Sequence, residues 1–148
     1  MKLKKLFPVV ILFFVMNSFA QNSVTEIKTK EGIRYITTSI DYPITGTYLF
    51  KETEPIVVLN AGGSGIYQLH DQPKRAMIWG IECNETGELK FIKGFDNAEY
   101  ALYYKYTDAS TSELEEDWNK VEFSIHINSM KMFINGERVK KFVGKEEK

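Results

Sequence analysis

Two histidines and one cysteine are the conventionally reactive side chains of this sequence. His70 precedes Asp71 at a predicted strand end, an arrangement in which a carboxylate could orient an imidazole for general-base work. His126 falls on the polar side of its own predicted strand. No nucleophile, acid pair or third partner is spaced to join either ring. Both therefore read as solvated, no catalytic residue is assigned, and the chain is expected not to be an enzyme. Zinc would require His70, His126 and Cys83 to meet. With no Cys-x-x-Cys or His-x-x-x-His pair to start a site, neither a metal nor any other cofactor is expected. Cys83 shares a strand face with Trp79 and Ile81 and reads as a small buried hydrophobe more than a reactive thiol. Gly62, Gly63 and Gly65 lack the Lys-Ser/Thr pair and following helix of a phosphate loop, so they read as a hairpin turn.

The aromatic residues offer binding instead. The chain holds eight Tyr and two Trp, and tyrosine joins apolar area to a polar tip, which suits ligand pockets. Tyr100, Tyr104 and Tyr106 fall on one face of one predicted strand. With Tyr48, Tyr67 and Trp79 they are the candidate ligand-binding residues, placed to line the inside of a barrel. The alternative is that these rings fill an ordinary core. A barrel of about eight to ten strands is near the width at which side chains either occupy the interior or leave room for one small ligand.

The elements that must position these rings are strands. Short runs rich in Val, Ile, Thr, Tyr and Phe are separated by glycine-containing turns, and no helical apolar spacing persists. The runs are 25–29, 33–39, 45–51, 55–60, 64–70, 76–83, 88–93, 99–106, 118–127, 130–134 and 137–142. Asn135-Gly136 accepts positive φ at both centres and is the strongest hairpin signal. Val121, Phe123, Ile125 and Ile127 alternate with Glu122, Ser124 and His126. Tyr100, Leu102, Tyr104 and Tyr106 form a second apolar stripe, and Trp79, Ile81 and Cys83 a third, as in antiparallel sheets with one wet side. Segment 108–117 breaks the rhythm. It carries Glu113, Glu115, Glu116 and Asp117, with two capping-box matches, Ser110 to Glu113 and Ser112 to Glu115, and is expected as a short helix or loop. Successive short turns favour an up-and-down barrel over a Greek-key sandwich. The predicted fold class is all-β: an antiparallel up-and-down meander closing into a barrel of about 8–10 strands.

Several of these stretches have a familiar order. Gly46-Thr47-Tyr48, then 55–60 ending in Asn60, then Gly63-Ser64-Gly65-Ile66-Tyr67, resemble the small secreted lipocalin-like (calycin-type) proteins of bacteria. Trp79-Gly80-Ile81, the turn at Gly87 and the closing hairpin around Asn135-Gly136-Glu137-Arg138 continue the likeness, which covers 44–142. The resemblance implies a barrel with an apolar interior site for a small ligand, of no particular identity. It also makes Arg138 the candidate for a late arginine packed over an aromatic ring of the first strand. Tyr48 stands where lipocalins place a tryptophan, and no Thr-Asp-Tyr motif follows.

The ends and the charge set the compartment. Lys2, Lys4 and Lys5 precede an apolar run from Leu6 to Met16 and small residues before Ala20, the order of a secretory signal peptide cleaved after Ala20. The run is too short to span a bilayer, so no stable membrane anchor after cleavage is expected. Residues 1–20 are thus assigned as signal peptide and 21–148 as a single lipocalin-like domain, secreted or periplasmic. Losing three Lys and no acid leaves the domain mildly acidic, which argues against a nucleic-acid partner. One cysteine excludes an intrachain disulfide. Arg138, Lys140 and Lys141 near the last hairpin oppose the acidic 113–117. They read either as solvated surface or as a docking face for an envelope protein, and lysines on a terminal strand protect an exposed edge. Two functions follow as expectations: a non-enzymatic barrel binding a small apolar or amphipathic ligand inside, or a cell-envelope interaction or structural module with no small ligand.

Overall fold

The computed structural model describes residues 23–40, 42–108 and 117–144. The expected signal peptide, the centre of segment 108–117 and the end of the charged tail lie outside the described residues. The described chain forms strands and no helix: β1 (Val24–Thr29), β2 (Gly32–Thr37), β3 (Gly46–Leu49), β4 (Ile56–Leu59), β5 (Ser64–Tyr67), β6 (Arg75–Cys83), β7 (Phe91–Lys93), β8 (Asn97–Tyr106), β9 (Asn119–His126), β10 (Lys131–Ile134), β11 (Glu137–Arg138) and β12 (Lys141–Gly144). Each falls on a predicted run, because period-two alternation and turn chemistry are local properties.

Nine strands form one hydrogen-bonded path, β11-β10-β9-β8-β6-β5-β4-β3-β12, antiparallel throughout. Sequence neighbours are mostly sheet neighbours, as in an up-and-down meander. The two ends of the path are successive stretches of one chain segment. The Val139 N–H donates to the Met132 carbonyl (2.9 Å), while the Lys140 N–H donates to the Leu49 carbonyl (2.8 Å). The sheet therefore curls into a barrel-like shape whose seam is crossed by the chain itself. The predicted single run 137–142 divides into β11 and β12 because the chain changes neighbours at Val139–Lys140. Gly46 makes the seam close-fitting: a Cβ there would lie 2.4 Å from the Val143 carbonyl oxygen.

Three strands lie off this path. β7 pairs with β8 along Ala98–Tyr100, on the edge that β6 occupies further along. β2 pairs with the far end of β6, through Tyr35↔Cys83 to Thr37↔Ile81, and carries β1 as a hairpin. They account for the difference between the expected strand number and the twelve observed.

The core gathers the predicted inward stripes. Trp79, Ile81, Leu102, Phe123 and Ile125 pack with Tyr48, Val57, Leu59, Met77 and Ile134. Three positions depart from the alternation, among them Ser124, which is buried on the supposed wet face of β9. Ile127 lies beyond the end of β9 and is exposed. Tyr103, on the supposed wet face of β8, is buried in a second cluster with Ile27 and Ile36, against which Ala101 and Trp118 pack. The β1–β2 hairpin covers that face. Gly80 permits the approach, since a Cβ there would lie 2.8 Å from the Ile36 side chain.

Candidate functional site

The structure divides the six candidate aromatic residues by place. Tyr48 sits deep in the core, edge-on to Phe123 at 5.9 Å and beside Phe142 at 4.7 Å, with its hydroxyl donating to the Ile44 carbonyl. Burial raises its pKa. Trp79 is pinned: its indole N–H donates to the carbonyls of Ser64 (2.9 Å) and Asn60 (3.2 Å), tying β6 to the glycine turn. Tyr100 is half-buried between Phe91 and Phe123. Only Tyr67, Tyr104 and Tyr106 form a group. Tyr67 and Tyr104 stack with centroids 4.4 Å apart and planes 4° from parallel, and Tyr106 meets Tyr104 edge-on at 5.5 Å.

This tyrosine group closes one end of the barrel, where β5 ends and β6 begins. The Arg75 guanidinium lies 3.9 Å from the centre of the Tyr106 ring and donates two hydrogen bonds from its Nε and one from Nη2 to Asp108, at 2.7–3.1 Å. Those bonds hold the Asp108 carboxyl below its usual range. Burial, with smaller contributions from Tyr106 and Glu137, pushes Tyr67 up to about 12. Tyr104 is raised by burial and by the two neighbouring tyrosines. The cation over an aromatic ring is thus Arg75, not Arg138, which is exposed on β11. Sequence spacing missed Arg75 because it meets Tyr106 only through the pairing of β6 with β8.

His70 does not use its neighbour Asp71. Its Nε2 lies 2.7 Å from a Glu137 carboxylate oxygen, across from the start of β11 and open to solvent. His126 faces Asp96 at 3.9 Å and the Phe133 ring at 5.0 Å. The two histidines sit near different ends of β9–β11, and Cys83 is buried in β6, its thiol raised chiefly by that burial. Among the described residues no three His, Cys, Asp or Glu side chains are arranged to hold a metal ion.

The opposite end of the barrel carries what the sequence did not single out. The β7–β8 turn and the β9–β10 turn lie side by side, the Ile127 N–H donating to the Asp96 carbonyl at 3.0 Å. On these two turns and on β7, Phe91, Ile92, Phe95, Ile127 and Met130 are exposed, Phe95 completely. Met130 also holds a left-handed backbone, with φ of 51°, a conformation that costs a non-glycine residue about 1–2 kcal/mol. A groove of about 450 Å³ adjoins this rim, with Phe91, Ile92 and Tyr100 in its lining between Glu82 and Lys120. The available signals were an aromatic residue inside the turn Gly94-Phe95-Asp96, which no strand face could bury, and an alternating stripe that overran its strand at Ile127.

Three further clefts flank the barrel, the first of about 350 Å³ beside Pro55, Gln68 and His70. A second of about 290 Å³ lies at the seam between Tyr42, Met132 and Phe142. A third of about 210 Å³ lies under the N-terminal hairpin, by Ile36, Trp79 and Trp118. None of these, nor the rim groove, is lined by Tyr48, Tyr67, Tyr104 or Tyr106. Comparison of the chain with models of known families, with curated proteins and with solved structures finds no match.

Proposed function

We propose that this is an exported, non-enzymatic β-barrel that serves as an interaction module of the cell envelope, holding another protein against its apolar rim. The observation that carries the reading is the rim itself. Apolar side chains left in water at adjoining turns, one of them on a strained backbone, gain free energy only when a partner covers them. The groove beside Phe91 and Ile92 offers a pocket for an anchoring side chain, the arrangement in which a few buried residues carry most of an interface. Export rests on the signal-peptide order of residues 1–20. A lipocalin-like kinship rests on the Gly46–Tyr67 motifs and on the meander order.

The interior-ligand reading asks more of the molecule. Tyr48, Tyr67, Trp79 and Tyr104 pack against one another's neighbours in the core, so a ligand among them would have to part stacked or hydrogen-bonded rings. Docking at the rim requires no such rearrangement. The test is native mass spectrometry of the protein purified from its own host, as wild type and as Phe95→Ser/Ile127→Ser. The expected outcome is a co-purifying protein with the wild type that is lost from the variant, both showing the same circular dichroism. Absence of a co-purifying protein from both samples, whether or not a small molecule is retained, would overturn the reading.

A further inference from the structure

We propose that the cleft at the barrel seam binds an amphipathic anion: a single short acyl chain ending in a carboxylate or phosphate. The cleft exists because the last segment changes neighbours. β12 pairs with β3 along one edge and, among the described residues, has no strand on the other. A notch of about 290 Å³ is left between it and the start of β10, at the small end of the range for ligand sites. Its apolar lining is Tyr42, Pro43, Met130, Met132, Val139 and Phe142, Met130 being shared with the rim. Met132 and Val139 belong to the core, and Tyr42 and Phe142 pack against it, so the floor of the notch is continuous with the barrel interior. The Tyr42 hydroxyl donates to the Met130 sulfur at 3.3 Å, fixing one wall.

Charge decides the occupant. Lys131, Arg138 and Lys140 line the same notch, and among the described residues no carboxylate is in its lining. Lys30, Arg34, Arg75 and Lys90 each have a carboxylate partner. The three seam cations have none among the described residues. Three like charges gathered without a counter-charge repel one another, and an anionic head relieves that repulsion while its chain covers the apolar floor. Neither half suffices alone: a bare anion leaves the floor wet, and a cationic amphiphile meets like charge.

Binding is read from backbone amide shifts of the full-length mature protein, with octanoate and octyl phosphate as probes and propanoate and octyltrimethylammonium as controls. Saturable shifts confined to 130–132 and 138–142 with either probe, and at least about tenfold weaker binding of both controls, support the site. Arg138→Gln/Lys140→Gln, two exposed positions, is expected to weaken octanoate about tenfold while leaving distant signals in place. The proposal is overturned if octyltrimethylammonium or propanoate binds as well as octanoate. It is equally overturned if the shifts fall on Tyr67 and Tyr104, or if neither probe binds at millimolar concentration. Phe95→Ser/Ile127→Ser leaves octanoate binding unchanged, so failure of the rim reading and failure of this one are separate results.

Discussion

At the scale of single residues, hydroxyl groups in apolar surroundings set the measurable behaviour. Tyr67 has a folded pKa of about 12 because burial disfavours the phenolate. A raised pKa means that the unfolded chain releases its proton first. The stability held in that phenol is complete below about pH 10, its ordinary value, and drains away as pH rises towards 12. Tyr48 and Tyr104 are shifted in the same direction. Titration followed by tyrosinate absorbance is therefore expected to show a late, cooperative step above about pH 10 that coincides with loss of circular dichroism. In Tyr67→Phe that step moves to higher pH. Tyr103 is the converse case: its hydroxyl is buried with no hydrogen-bond partner, and such a group costs about 1–3 kcal/mol. Tyr103→Phe is expected to raise stability by about 1 kcal/mol in urea unfolding. The sequence placed Tyr103 on the wet side because alternation tells which residues share a face, not which face another element will cover.

At the scale of elements, the β1–β2 hairpin turns a one-sided sheet into a partly two-sided one. Its docking depends on Gly80, where any side chain would strike Ile36. Gly80→Ala is expected to cost about 1–3 kcal/mol, as overpacking does. It should also loosen the hairpin from Tyr103 and Trp118, which a red shift of tryptophan fluorescence would report before global unfolding. Strand positions were legible in the sequence to within a few residues, since β-branched runs and glycine turns act locally. The tyrosine group was half legible. Tyr104 and Tyr106 share β8 by spacing, but Tyr67 joins them from β5 and Arg75 from β6 through registers that no local pattern specifies. The rim was less legible still, because exposure of Phe95 and Ile127 follows from where β8 begins and β9 stops.

At the scale of the whole molecule, one segment near the C-terminus holds the sheet round on itself. Residues 137–138, as β11, pair with β10, and residues 141–144, as β12, pair with β3. Ending the chain after Arg138 is expected to free the edge of β3, remove Val139 and Phe142 from the core, and destroy cooperative unfolding. The product should aggregate, as open sheet edges with apolar faces do. Size-exclusion chromatography with thermal unfolding checks this, and a monomer that unfolds in one sharp step would contradict it.

By itself the sequence determined the all-β class, the places of the strands and turns, and the stripes that turn inward, because a two-residue period and turn-forming residues act over a few bonds. Only the tertiary structure decided which distant strands meet at the seam, that β8 is covered on its outer face at Tyr103, and which apolar side chains remain at the rim. Those outcomes depend on pairing register and on where each strand ends, and they are set when the sheet curls and its two ends find the same stretch of chain.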